Sequence, residues 1–214
     1  MLEQATRLIV IRHGETAWNR ATRIQGHTDI PLSALGLAQA ERLARALADE
    51  GLAAIYASDL SRARQTAEAL ARVHGLQVRS DAALRERAFG RFEGLSWREI
   101  EQTYPEEAER WRRREPDFPV GGGESLEVFS ARCLQAARRA AAAHPGESIA
   151  LVAHGGVLDC LYRAATRVAL DAPRSWQLGN ATINRLLATA DGFTLVGWND
   201  DRHLAGLGAD DIAA

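Results

Sequence analysis

The sequence predicts one α/β domain built on a single, mostly parallel central sheet, with an antiparallel hairpin near its end and a small helical cap inserted at about 90–125. Three observations predict it. Short apolar runs alternate along the chain with segments of helical period, the order that gives parallel strands joined by helices. Two of those runs, Leu8-Ile9-Val10-Ile11 and Ile149-Ala150-Leu151-Val152, are apolar throughout and read as strands covered on both faces. Between two further strand candidates, 181–188 and 193–198, stands Asp191-Gly192, a tight-turn pair.

The elements follow in order. After the first strand comes a polar stretch, 15–31, long enough for a functional loop. Ser33 is a helix N-cap, the helix runs to about Asp49 with Ala40, Leu43, Ala44 and Leu47 as its apolar stripe, and Gly51 stops it. A strand at 54–57 leads through Ser58-Asp59-Leu60-Ser61-Arg62 into a helix burying Ala63, Thr66, Ala67, Leu70 and Val73, with Gly75 as its stop. A short strand is expected at 76–78 and irregular chain at 84–94. From 96 to 119 helix is broken at Tyr104-Pro105 and Glu115-Pro116. Gly121-Gly122-Gly123 reads as a flexible joint before a long helix that starts at Glu124-Ser125 and carries Leu126, Phe129, Cys133 and Ala137 on one face. His144-Pro145-Gly146 ends that helix, and 157–165 is helical. The last residues, rich in Gly, Ala and Asp, are expected to fray.

Without a linker or a repeat, residues 1–214 are expected to form one domain, and that length suffices for one sizeable core. With 46% hydrophobic and 25% charged residues and a formal net charge of −2, the chain has no basic field to attract nucleic acid or an anionic membrane. All 26 basic residues are arginine, which excludes a catalytic lysine, a Schiff base and a Walker-type phosphate loop. Cys133 and Cys160 sit in apolar, helix-like surroundings and are expected to be buried, reduced thiols. No secretory leader pattern and no run of membrane-spanning length is present, so the expected location is the cytoplasm.

The chemistry concentrates at strand ends. Arg12-His13-Gly14 follows the first strand and His154-Gly155 follows the fourth long apolar run. In a parallel sheet these carboxyl ends share one edge, where such folds bind ligands. Arg62, at the N-terminus of the helix after another strand, can reach the same edge, and a helix N-terminus favours an anion. Taken alone, Arg12 and His13 also fit a bland reading, a strand-end histidine and a solvated arginine. Two arginines and two histidines converging without metal-ligand spacing point to a phosphoryl group, whose oxygens match the guanidinium fork. His-Glu-x-x-His, Cys-x-x-Cys, Gly-x-Gly-x-x-Gly after a strand and Gly-x-Ser-x-Gly are all absent.

At these residues the chain resembles the histidine phosphatase superfamily, the phosphoglycerate mutase-like fold. The matching stretches are Ile11-Arg12-His13-Gly14-Glu15-Thr16-Ala17-Trp18-Asn19, Ser58-Asp59-Leu60-Ser61-Arg62-Ala63-Arg64-Gln65-Thr66-Ala67, Leu84-Arg85-Glu86-Arg87-Ala88-Phe89-Gly90-Arg91-Phe92-Glu93-Gly94, Gly123-Glu124-Ser125 and Val152-Ala153-His154-Gly155-Gly156. The resemblance spans roughly 7–204. It implies a three-layer sandwich, with helices on both faces of the sheet. It implies His13 as the nucleophile that forms a phosphohistidine. Arg12, Arg62 and His154 would hold the phosphoryl oxygens, Asn19 would add a loop donor, and Glu86 would be general acid and then base. Gln25, Gly26 and Gly155 are candidate substrate contacts, with His27 beside them. Glu93 reads as a loop stabiliser, His74 as a helix-end cation and His144 as a turn residue, while His203 has no placement. Trp18, Trp97 and Trp111 either pack under the cap or line a pocket.

The implied activity is a metal-independent phosphomonoesterase acting on a small phosphorylated metabolite, with no cofactor, no nucleic-acid or membrane partner, and monomer or homodimer left open. The alternatives are a phosphoglycerate mutase and a non-catalytic phospho-ligand binder. The short insertion, Trp111-Arg112-Arg113-Arg114-Glu115-Pro116-Asp117-Phe118-Pro119 running directly into the glycines, resembles the phosphatase branch.

Overall fold

The strand that opens the chain lies in the middle of the sheet. In the computed structural model, which describes residues 5–207, β1 (Thr6–Arg12) is followed by a one-turn helix α1 (Ala17–Arg20), then α2 (Ala34–Ala46), β2 (Leu52–Ala57), α3 (Ser61–His74) and β3 (Val78–Ser80). The cap carries α4 (Trp97–Thr103) and α5 (Pro105–Arg112). After it, α6 (Leu126–Ala142), β4 (Ser148–Ala153) and α7 (Gly155–Thr166) lead to the hairpin β5 (Ile183–Thr189) and β6 (Gly192–Asp200). The six strands are ordered β3-β2-β4-β1-β5-β6. β1 to β4 pair in parallel and the hairpin joins β1 antiparallel, so the sheet is mixed.

Strand alternation distributes the core. Leu8 and Val10 of β1, with Ile149 and Leu151 of β4, pack under α6 and α7, while Ile9 and Ile11, with Ala150 and Val152, pack under α2 and α3. Helices therefore cover both faces, which gives the expected three layers. The cap has a small core of its own, where Phe92, Ile100, Ala108, Phe118 and Val120 are buried against Trp97 and Trp111. Among the described residues no helix is long and apolar enough to cross a membrane. Cys133 and Cys160 are buried free thiols.

Several local expectations need correction. α2 ends at Ala46, with Leu47 as its C-cap, and Gly51 instead precedes β2. β3 begins at Val78 because the Leu76 amide is used to close α3, donating to the Ala71 carbonyl at 3.1 Å. Val73 is 44% exposed; the buried rows on α3 run at four-residue steps through Arg62, Thr66 and Leu70 and through Ala63, Ala67 and Ala71, and Val73 lies off both. The glycine triplet is a packed seam rather than a loose joint. A Cβ on Gly121 would sit 2.1 Å from the Phe89 carbonyl oxygen, and one on Gly123 2.0 Å from that of Ala88. The expected fraying concerns residues 208–214, which lie outside the described ones.

Candidate active site

Register brings the two histidines together. β1 and β4 are neighbours with Arg12 opposite Ala153, and the His13 amide continues the ladder by donating to the Ala153 carbonyl at 3.0 Å. Both chains then leave the sheet at the same edge, with the imidazole centroids 5.2 Å apart. β2 flanks β4 on the other side, and α3 after it delivers Arg62, which is fully buried. The Arg62 side chain is held on three sides. Nε donates to His154 Nδ1 at 3.3 Å, Nη1 to the Thr28 carbonyl at 2.9 Å and Nη2 to the Gly26 carbonyl at 2.7 Å. A guanidinium has five N–H donors, so two remain.

These contacts assign the ring tautomers. His13 Nδ1 lies 2.7 Å from the Gly14 carbonyl, which only accepts, so Nδ1 carries the proton and Nε2 presents a lone pair. His154 Nδ1 accepts from Arg62, so its proton is on Nε2, which is buried and has no hydrogen-bond partner. Burial holds both imidazoles well below the ordinary histidine value of 6.5. The neighbouring guanidiniums, Arg12 and Arg62, push in the same direction. The result is one neutral ring with a bare nitrogen beside one neutral donor. Burial also lowers Arg62, to about 10, which leaves it charged at neutral pH, and lowers Arg12. Arg12 Nη1 donates to the Leu178 carbonyl, and its buried Nε has no partner.

A cavity of about 690 Å³ opens over this edge. Arg12, His13, Asn19, Arg62 and Glu86 line it, as do the expected contacts Gln25, Gly26 and Gly155. His154 is fully buried and is not among the lining residues, its ring edge-to-face with that of His13. Asn19 closes a capping box with Thr16, its Oδ1 accepting from the Thr16 amide at 3.0 Å, which leaves its side-chain amide N–H groups over. Glu86 accepts from the amides of Arg87 at 2.9 Å and Gly156 at 3.0 Å, so α7 directly braces it.

His27 departs from expectation. It is not part of the cavity wall; its Nε2 lies 2.9 Å from the Glu86 carbonyl and supports that segment. Gly14 is not in the wall either. A Cβ there would meet the Gly36 carbonyl oxygen at 2.5 Å, so its missing side chain admits α2 rather than a ligand. Glu93 is a loop stabiliser, accepting from the amides of His27, Thr28 and Phe89 and from the Thr28 hydroxyl. His144 is a turn residue between Glu147 and Tyr56, His74 occupies the last turn of α3, and His203 Nε2 lies 3.0 Å from the Ala181 carbonyl. Trp97 packs within the cap, Trp18 lies against Gly94, and Trp111 both packs and lines the cavity.

Sequence reasoning missed further parts. Arg132 on α6 clasps Glu124 with two nitrogens, at 2.8 and 2.7 Å, and donates to the carbonyls of Ala83, Arg85 and Glu86. It ties down the segment that carries Glu86, and explains Glu124 as a brace. On a helix rich in arginine nothing in its spacing distinguishes it. Arg87, Arg114, Asp159, Arg174 and Trp176 also line the cavity. Asp159 was findable, because it lies four residues after Gly155 on one helix face.

Residues 8–201 match the model of the histidine phosphatase superfamily, branch 1. The chain is 39% identical over 201 residues to phosphoglycerate mutase-like protein 4 of Arabidopsis thaliana, covering 92% of this chain and 86% of that protein. It is 35% identical over 208 residues to the metal-independent phosphoserine phosphatase of the same plant, covering 96% and 86%. A mycobacterial glucosyl-3-phosphoglycerate phosphatase superposes with a TM-score of 0.82 at 32% identity, covering 92% of this chain and 100% of that one.

Proposed function

The chain belongs to the histidine phosphatase superfamily, branch 1, an enzyme family of phosphatases and mutases, and from that premise we propose that it is a metal-independent phosphomonoesterase working through a phosphohistidine on His13. The observation that carries this reading is the pair of opposite tautomers. His13, in the cavity wall, offers a bare Nε2, and His154, a buried neighbour with its ring centre 5.2 Å away, offers an Nε2–H.

In the first half-reaction His13 Nε2 attacks phosphorus in line, the P–O ester bond breaks, and Glu86 gives its proton to the departing alkoxide. Charge on the transferring group is met by the guanidiniums of Arg12 and Arg62, by His154 Nε2–H and by the Asn19 amide, so cations and dipoles fixed before the reaction stabilise it. In the second half Glu86 takes a proton from water, the oxygen attacks phosphorus, and the N–P bond breaks to return neutral His13 and inorganic phosphate. Gln25, Gly26 and Gly155 lie where the substrate would touch the wall.

A mutase shares the first half and returns the phosphoryl to a second hydroxyl, and mutase-like relatives keep that reading in play. The short cap insertion favours water as the acceptor. The experiment is incubation with 3-phosphoglycerate plus its bisphosphate primer, and separately with p-nitrophenyl phosphate and no added metal. Release of inorganic phosphate from the aryl ester, without conversion of 3- to 2-phosphoglycerate, is expected. Primer-dependent interconversion faster than phosphate release makes it a mutase, and tight phosphate binding with no turnover makes it a binder.

A further inference from the structure

The mechanism leaves unused a second group of side chains farther along the cavity. α7 starts at Gly155, beside the phosphoryl end, and Asp159 stands one turn on, about 6 Å along the helix axis. Asp159 is 5% exposed and lines the cavity, as do Arg114 and Trp176. Its Oδ2 accepts from Arg114 Nη2 and from Arg163 Nε, both at 2.9 Å. Its Oδ1 is buried with no hydrogen-bond partner, and so is the indole Nε1 of Trp176. Trp176 is fixed in place, stacked on Tyr162 at 4.1 Å with the Arg163 guanidinium 4.7 Å from its ring centre. A buried carboxylate oxygen and a buried N–H without partners are unusual and costly in a folded chain. Here both belong to residues of one cavity wall.

We propose that Asp159 and Trp176 form a subsite for hydroxyl groups on the alcohol portion of the ester, so that the substrates are phosphate esters of polyols. One hydroxyl donates to Asp159 Oδ1 and a hydroxyl oxygen accepts from Trp176 Nε1–H. The charges select this chemistry. Asp159 already faces the Arg114 and Arg163 guanidiniums, so an ammonium here would join a positive cluster. A carboxylate, although Arg87 and Arg174 elsewhere in the wall attract anions, would at this point be set against Oδ1 itself. A neutral group that both donates and accepts meets neither penalty. A three-carbon ester held at His13 also leaves much of a cavity of about 690 Å³ unfilled. The inference rests on the phosphatase reading for the position of the ester, and it assigns the far end of the same site.

The test compares glucose 6-phosphate with cyclohexylmethyl phosphate, which has the same ring size and charge without hydroxyls, and uses phosphoserine as a control that carries both an ammonium and a carboxylate. The wild type is expected to favour glucose 6-phosphate in kcat/KM by at least about tenfold, roughly the effect of one hydrogen bond to a charged group. Asp159→Asn and Trp176→Phe are each expected to reduce that ratio about tenfold; the second keeps an aromatic ring while removing the N–H together with the five-membered ring that bears it. A ratio near one in the wild type, a ratio that neither variant moves, or a preference for phosphoserine that survives Asp159→Asn overturns the subsite. If the wild type hydrolyses no ester, p-nitrophenyl phosphate included, the phosphatase reading fails, and the same affinity ratio is then read by calorimetry.

Discussion

At neutral pH His13 and His154 carry no charge, because each is buried next to two guanidiniums. In the proposed mechanism that neutrality lets one ring attack while the other donates. It also links stability to pH. In the unfolded chain each imidazole takes up a proton near 6.5, and in the folded chain only at a much lower pH, so between those values the unfolded state holds more protons. Stability from these rings is complete above about pH 6.5 and is lost as pH falls below it, with a slope of at most about 1.4 kcal/mol per pH unit for each histidine. Urea unfolding of the wild type and His13→Asn between pH 7 and 5 measures this. The variant's stability is expected to fall less steeply with acid; parallel curves would mean that His13 titrates normally. At this scale the site was legible where chemistry is local. Arg12, His13, Arg62 and His154 adjoin strand ends, whereas the tautomers depend on Gly14 and Arg62 contacts that only folding creates.

Elements place these residues through close backbone contacts. Gly156, in the first turn of α7, shows how little room there is: a Cβ would stand 2.2 Å from Glu86 Oε1 and 2.9 Å from the Phe129 ring. Gly156→Ala must therefore displace the carboxyl while leaving the histidines in place. It is expected to slow hydrolysis of alkyl phosphates by roughly 10² and of p-nitrophenyl phosphate much less, since a nitrophenolate needs little protonation. Equal slowing of both would remove Glu86 from proton transfer to the leaving group. Ser33 and Gly75 were readable because caps depend on a few neighbouring residues. So was the hairpin, although its two-residue turn is Ala190-Asp191 and Gly192 already pairs with Thr189 as the first residue of β6. Gly121, Gly123 and Arg132 were not, because their partners are the carbonyls of 83–89, distant in sequence. A glycine run pressed against another chain segment looks, as sequence, like a hinge.

Across the whole molecule, strand order is what makes a site out of distant segments. Placing β4 between β1 and β2 sets residues 12–13, 58–62 and 153–156 on one edge, the segment after β3, tied down by α6, supplies Glu86, and the cap adds to the cavity's outer wall. Alternating apolar runs and paired His-Gly ends made the layered α/β class legible, since burial pattern and loop chemistry are written in short stretches. The far wall of the cavity was hidden, because 111–114, Asp159 and 174–179 meet only once the cap and the loop after α7 have packed. All of the chemistry above requires phosphorus to bond covalently to one nitrogen. Rapid quenching of the enzyme and a phosphorus-labelled aryl phosphate in alkaline detergent, followed by peptide mapping at high pH, tests this directly. Label that is stable in base, labile in acid, confined to the peptide containing His13 and absent from His13→Ala is the expected result; hydrolysis at full rate with no labelled peptide, or with label elsewhere, would contradict the account.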